Sequence, residues 1–466
     1  MTLPRASAGG RIPLAAIALA GPALLLVGLA TGAWWLLLAL AAGVGLAALT
    51  ASNVRLAFVV GVLLCTFVDY TTGMLTIEMT IVVAWFLWTF LLLYWRSAWK
   101  GWVRPPAELL PPLIVWSLAC FMGVVLGFAR GNNLHSLGIE LEGALWPFLA
   151  LAMIQVFRRE HAAYALAGLF VIGLLHTGFG LTMLRITEHR LGGIYFTTVT
   201  GFAAVLLWTV ALLTPHRRVR RLCLVAMVPM LIHLLFSFTR GYWLGALAGL
   251  ATTTILAWRS LGRFGASLRD RLRLLVPIAW IAAATVALAI VYFGSGRILD
   301  AIGGRFGSSF STQVSGETMS NAIRLVEYDS AIAAAVKSPV VGNGFGYHIV
   351  VRDPVLGTIS DHWFVHDYYL LLWLKLGVVG LAAFGYLIWR QVRAAKRVAD
   401  RDASWIARVT AIGAIAVTVQ ILAILITNYS LADVTTASVF AYVWGFFWAV
   451  RADQTGEGGS HAPVGS

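Results

Sequence analysis

Apolar residues fall in long blocks along this chain. From Pro13 to Val450 it repeats stretches of roughly 17–23 apolar residues, the length that carries an α-helix across a bilayer. About fourteen can be drawn, near 12–31, 33–50, 54–69, 75–95, 109–129, 143–157, 162–183, 196–214, 221–237, 241–258, 274–293, 367–389, 406–428 and 433–450. Those at 54–69 and 143–157 are short for a full crossing and are expected to be re-entrant or half-buried, which puts the expected number of transmembrane helices at about 12–14. One connection stands apart. From about Gly294 to Val365 run roughly seventy residues of mixed character, a length that marks a functional or disordered segment. Within it Leu325, Tyr328, Ile332 and Val336 keep helical spacing, Ser320 or Asn321 can cap the start, and Lys337 followed by Pro339 marks the end. An amphipathic helix over about 321–337 is predicted, with Arg324 and Glu327 together on its polar side.

Composition fixes the class. With 60% of its 466 residues hydrophobic and only 12% charged, and a mean hydropathy of +0.84, the chain is too apolar for an ordinary soluble domain and reads as an all-α polytopic membrane protein. The first apolar stretch is long and has no small-residue cleavage site after it, so it is expected to be retained. Cys65, Cys120 and Cys223 lie in separate apolar runs without a CxxC or His-rich neighbour, which predicts packing rather than zinc binding. The organisation predicted is an N-terminal set of helices over 1–184, a second set over 185–293, an extracytoplasmic loop over 294–365, a C-terminal set over 366–451, and a Gly-rich polar tail over 452–466 expected to be disordered.

The net charge of +14 requires no nucleic acid. With both termini cytoplasmic and the helices alternating, most of the 34 Lys and Arg residues fall on the cytoplasmic side, as the positive-inside rule demands, next to anionic lipids. The residues left over on the outer side are Arg130, Arg185, Arg190, Arg240, Arg297, Arg305, Arg324, Lys337 and Arg352. Nearly all are arginine, whose planar fork binds phosphate through two nitrogens at once. Some can instead pair with Glu140, Glu142, Glu188, Glu327 or Asp353, and exposed pairs of that kind contribute little.

Three features carry candidate chemistry. Arg240, in Ser237-Phe-Thr-Arg-Gly-Tyr-Trp-Leu-Gly245, stands where one apolar run ends and the next begins, a position suited to lining a polar cavity or holding an anion. The Gly241, Gly245 and Gly249 that follow are spaced for close packing by another helix. Gly342, Gly344 and Gly346 alternate in Pro339-Val-Val-Gly-Asn-Gly-Phe-Gly346, a strong signal for a tight turn and a weak one for a phosphate cradle. His366 and Asp367 open the next membrane helix on the same outer side as Arg240; a histidine there can take a proton from an attacking hydroxyl or serve as a polar anchor. His176 and His233 lie within apolar runs and are expected to bond between helices.

Together these stretches resemble the O-antigen ligase and O-antigen polymerase superfamily of bacterial inner-membrane glycosyltransferases. The Ser237–Gly245 stretch is similar to that family's Ser-x-[Ser/Thr]-Arg-Gly helix start. Arg324 followed by Pro339 and Gly342-Asn-Gly-Phe-Gly346 is similar to its loop arginine and Pro-x-x-Gly-x-Gly. His366 to Leu381 is similar to its His-Asn-x-Tyr-Leu and Leu-Gly-x-x-Gly-Leu, with Asp367 in place of the asparagine, and Arg190-Leu-Gly-Gly-Ile194 is a weaker match to an Arg-x-x-Gly loop. The resemblance covers about residues 185–385. It implies transfer of a glycan from an undecaprenyl-diphosphate carrier to an acceptor hydroxyl, with inversion and without a nucleotide sugar, in O-antigen, capsule or exopolysaccharide synthesis. Arg240 and Arg324, then Arg190 and Arg305, would clamp the diphosphate. His366 would be the base, with Asp367 either orienting it or sharing the role. No cofactor or metal is expected. The acceptor separates a polymerase, slightly preferred because nothing in the chain identifies a lipopolysaccharide acceptor, from a ligase acting on lipid A core, and a chain-length regulator is a possible partner. A lipid or polysaccharide flippase is the reading of another class, disfavoured because the charges gather at the outer surface and no repeat relates the halves.

Overall fold

The computed structural model describes residues 51, 53–66, 85, 88–95, 101–182, 186–187, 190–191, 197–237, 239–265, 267, 276, 283, 287, 316–352 and 357–454. Among them run twelve α-helices: α1 (Val54–Cys65), α2 (Leu110–Ala129), α3 (Leu134–Ala144), α4 (Leu149–Val156), α5 (Ala162–Thr182), α6 (Thr197–Leu213), α7 (Arg217–Phe236), α8 (Arg240–Arg263), α9 (Gly316–Ala335), α10 (Tyr368–Arg401), α11 (Trp405–Leu425) and α12 (Val434–Gln454). Two hairpins accompany them, β1 (Ile186–Thr187) with β2 (Arg190–Leu191) and β3 (Ile349–Arg352) with β4 (Ile359–His362), both antiparallel. Seven segments among the described residues are long and apolar enough to cross a membrane, and the chain is an all-α polytopic membrane protein. It divides into two compact units, 1–60 and 61–466. In the first, Asn53 Oδ1 accepts the Arg55 and Leu56 amides and so starts α1; the rest of the description concerns the second. The spans expected at 12–31 and 33–50, most of those at 75–95 and 274–293, Arg185, Arg297, Arg305, Asp353 and the tail beyond 454 lie outside the described residues.

Lipid-facing and packed faces separate cleanly on α2. Pro111 and Pro112 open it, where their missing N–H groups have no partner to lose. Ile114, Leu118, Phe121, Val125 and Phe128, spaced alternately four and three apart, are exposed, while Trp116, Ala119, Cys120, Gly123 and Gly127 face inward. A helix apolar on both faces, with one uncovered, suits a bilayer and not water. Every residue of α6 is buried, so α6 lies at the centre of the bundle. The glycines of α8 pack it onto α11: a Cβ on Gly245 would lie 2.9 Å from the Gln420 carbonyl oxygen, and one on Gly249 3.3 Å from that of Ala416. His176 Nε2 meets Thr66 Oγ1, and His233 Nδ1 lies 3.1 Å from Thr200 Oγ1, as interhelical bonding predicts. The three cysteines are buried and form no disulfide.

The stretch expected as a short span at 143–157 is longer. Its helix begins at Leu134, capped by Asn133 Oδ1 on the Ser136 amide at 3.0 Å, and it reaches Val156 through a 3-10 turn over Trp146–Phe148, around Pro147. The apolar pattern hid the extension because Glu140 sits in it. That carboxylate lies inside the bundle, ion-paired with Lys375 of α10, and is therefore no partner for an outer arginine.

The connection from α9 to α10 explains the two glycine motifs together. α10 is two helical pieces broken at Gly377, whose φ of 66° and ψ of −166° lie in a region open essentially to glycine alone. The break leaves carbonyls above it and amides below it without helical partners, a costly state in a bilayer. The Pro-Val-Val-Gly-Asn-Gly segment satisfies both sets. Asn343 and Gly344 donate their amides to the Leu374 and Lys375 carbonyls (2.8 Å each), while the Val378 and Val379 amides donate to Pro339 and Val340 (3.0 and 3.1 Å). The loop is held from its other side as well: Arg130 donates to the Gly342 carbonyl at 2.9 Å and Asn132 to those of Asn343 and Phe345 at 3.0 Å. A Cβ at Gly377 would run into the Val340 backbone. Gly377→Ala is therefore expected to reduce folded, detergent-extractable protein several-fold; a wild-type gel-filtration profile and yield would contradict this docking.

Candidate active site

His366 precedes α10, and its imidazole is gripped from α9. Glu327, with no side-chain exposure, sends Oε1 to the His366 amide and Oε2 to His366 Nδ1, each at 2.7 Å. A buried carboxylate is tolerable when it is paired and bonded in this way. Because an ionised carboxylate only accepts, Nδ1 carries the proton and Nε2 holds the free lone pair. No described residue bonds Nε2, and the side chain is 29% exposed. The arrangement can abstract a proton at Nε2 and stabilise the resulting imidazolium against Glu327, as a carboxylate does for histidine in hydrolytic triads.

Asp367 is adjacent in sequence but serves the helix. Its Oδ1 accepts the Leu370 amide at 2.9 Å as the N-cap of α10. Burial raises its pKa, and the Leu370 and Tyr369 amides oppose that rise. Arg324, half-buried, lies one turn before Glu327 on α9. Burial raises the pKa of the nearby Tyr328 phenol; Arg324 opposes the rise, while Asp367 and Glu327 add to it, so these charges share one neighbourhood.

Arg240 is the first residue of α8, after Thr239 as N-cap. The connection between α11 and α12, residues 426–433, links this start to the histidine. A Cβ on Gly241 would meet the Thr427 side chain, Asn428 Nδ2 donates to the Tyr242 hydroxyl at 3.1 Å, and the Tyr429 ring lies edge-on to His366 with centroids 5.8 Å apart. Arg190 is placed in β2, paired with Thr187. The structure thus joins His366, Asp367 and Arg324 around α9 and α10 and brings the Arg240 end of α8 to the same loop; Arg305 lies outside the described residues.

The glycine segment settles between its two expected uses. The amides of residues 342–346 are all engaged within the protein, on Ser338, Leu374, Lys375 and Gly123 carbonyls and on Glu140 Oε2. It is the turn that the glycines predict, and its N–H groups are not free to cradle phosphate.

Sequence reasoning passed over Glu327 as a partner of His366, and over Asn428, Tyr429 and Asp433. Their one signal was a short polar interruption, Thr427-Asn-Tyr-Ser430, between the last two apolar runs. Asp433 caps the start of α12 through the Thr435 amide at 3.2 Å, and burial pushes its pKa up to about 6 from the usual 3.8. Between those values the folded protein binds more protons than the unfolded chain, so this group's contribution to stability falls as pH rises toward 6 and stays low above it. Asp433→Asn is expected to gain thermal stability relative to wild type at about pH 8 and to lose that advantage toward pH 4. Melting curves of the two proteins that stay parallel across that range would contradict it.

A polytopic helical bundle with a carboxylate-gripped histidine at one mouth is the class that fold and site define. Residues 225–385 match the family described as O-antigen ligase, a region running from within α7 into α10 and containing Arg240, Arg324, Glu327 and His366. The match bears out the resemblance to the O-antigen ligase and polymerase superfamily and supports a glycosyltransferase-type enzyme that works on lipid-linked glycans in a membrane. No curated protein matches the chain.

Proposed function

We propose that this protein transfers a glycan from an undecaprenyl-diphosphate carrier to an acceptor sugar hydroxyl on the outer face of the bacterial inner membrane, with inversion. The observation that carries the reading is the bidentate grip of Glu327 on His366, which fixes the tautomer a general base needs. His366 Nε2 removes the acceptor proton as the hydroxyl oxygen attacks the anomeric carbon, and the diphosphate leaves with the bonding pair. Arg324 and Arg240, with Arg190 and Arg305 as further members, stabilise the charge gathering on the diphosphate. The bias of Lys and Arg among the connecting segments supports cytoplasmic termini. The chemistry as written uses no metal, and turnover is expected to persist in excess chelator; its loss there, restored by a divalent ion, would require revision.

The test is reconstitution in liposomes with the host's own lipid-linked repeat unit and separation of products by size. A ladder of lengthened carrier-linked glycans, absent in His366→Ala, supports a polymerase, the preferred reading. Transfer only when lipid A core is supplied identifies a ligase. Inactivity with both acceptors overturns the enzymatic reading.

A further inference from the structure

The histidine is walled by aromatic rings that the catalytic reading leaves unused. His362, Phe364 and Tyr429 form a three-ring stack: His362 and Phe364 lie 5.3 Å apart at 12°, Phe364 and Tyr429 4.6 Å apart at 28°. Trp363 stands edge-on to Phe364 and Tyr429 at 5.4 and 6.0 Å. His366 stands edge-on to the same two rings at 5.4 and 5.8 Å. Phe364, stacked with both His362 and Tyr429, acts as the spine, and Trp363, Phe364 and Tyr429 are all half-buried.

We propose that Trp363 and Tyr429, backed by Phe364, bind the acceptor sugar. A pyranose has an apolar C–H face that rests on an aromatic ring and a rim of hydroxyls that projects beyond it. A sugar on these rings would therefore present a hydroxyl toward the neighbouring His366 Nε2. Charge assigns the partner. The two segments that build this wall, 357–367 and 426–433, contain no Lys or Arg but hold Asp361, Asp367 and Asp433. Asp361 is bonded to His348 and Asp367 and Asp433 cap helices, so these segments offer a diphosphate no cation of their own, while the remaining carboxylate lone pairs can accept hydrogen bonds from hydroxyls. The donor's diphosphate belongs with the arginines of α8 and α9, and the acceptor belongs here. A membrane-interface belt of Trp and Tyr is the competing role, but a belt needs no rings stacked on one another and edge-on to an imidazole.

This assignment rests on His366 being the base, so the experiment separates the two. Transfer is measured at saturating donor while the acceptor is varied, for Trp363→Ala, Trp363→Phe, Tyr429→Ala and Tyr429→Phe. The alanine variants are expected to raise acceptor KM about two- to tenfold, the scale of one lost stacking contact. The phenylalanine variants should stay near wild type, and donor KM and kcat should move little. In parallel, the free repeat-unit glycan is titrated calorimetrically into His366→Ala and into His366→Ala/Trp363→Ala. Weaker binding in the double variant supports the site even if wild-type protein transfers nothing, which would instead overturn the base assignment. Unchanged acceptor KM and unchanged glycan binding in an active enzyme, or a rise in donor KM alone, overturns the acceptor site. Loss of folded yield without either change identifies a membrane anchor and overturns it too.

Discussion

Replacing His366 with alanine is expected to leave the protein folded and inserted but to slow glycan transfer by about 10²–10⁴-fold, the usual contribution of a positioned general base. The fold should survive with some loss of stability, because the imidazole is partly exposed and bonds to one residue, Glu327, whose buried carboxylate still accepts the backbone amide at position 366. Glu327→Gln should come close to the same loss by a different route. A glutamine amide can turn its NH2 toward Nδ1, which then accepts, so that the ring proton moves to Nε2 and the lone pair needed by the acceptor is gone. Glu327→Asp keeps the charge but shortens the reach and should retain intermediate activity. Asp367→Asn divides the remaining labour: asparagine caps a helix nearly as well as aspartate, so near-normal transfer assigns Asp367 to the cap, and a loss matching that of His366→Ala assigns it to the chemistry. Transfer measured for these variants in the same liposomes decides among them.

The largest effect on stability is expected at Lys375. Its ammonium lies within the bundle, donating to Glu140 and to the Tyr347 carbonyl, and Glu140 in turn accepts the Gly346 amide at 2.8 Å. Lys375→Met leaves a carboxylate buried without its counter-ion, which costs about 3–5 kcal/mol. Glu140→Gln alone strands the ammonium and should be similarly harmful. With Lys375→Met and Glu140→Gln combined no charge remains to be stranded, and the double variant is expected to recover at least half of the loss. Thermal unfolding in detergent measures all three, and additive losses in the double variant would show that the pair is not coupled. The pair also ties α3 to α10 and to the glycine segment, the segment that sets Glu327 of α9 opposite His366. Protein surviving either single substitution should therefore transfer more slowly than its folded fraction predicts.

Much of the architecture was legible in the chain because a bilayer imposes a length. Apolar blocks of helical span predicted α2, α5 to α7, α11 and α12 to within about four residues at each end and the starts of α8 and α10, which run on to Arg263 and Arg401 past the expected ends at 258 and 389, and 3.6-residue spacing found α9 inside an otherwise irregular loop. The pattern failed where a polar residue was satisfied far away in sequence. Glu140 made the start of α3 look like a loop, and only its pairing with Lys375, 235 residues on, allows the helix to carry it inside.

The same limit divides the site. Arg240, Arg324 and His366 are fixed by the sequence as types at positions, since arginines at the edges of apolar runs and a histidine at a helix start stand out against an apolar background. Their partners are not. Glu327 precedes His366 by 39 residues, and on sequence alone it belongs with Arg324 on one helical face. Tyr429 reaches the imidazole only because α11 returns the chain to the mouth where α10 begins. The glycines show in the sequence that a turn occurs at 342–346, but not that it completes a break at Gly377, which lies inside a run read as one continuous helix over 367–389. Hydropathy and local spacing are properties of neighbours along the chain and can be read there. The tautomer of His366, the docking of a loop into a broken helix and the ring stack beside the base depend on groups brought together by folding, and the tertiary structure alone decided them.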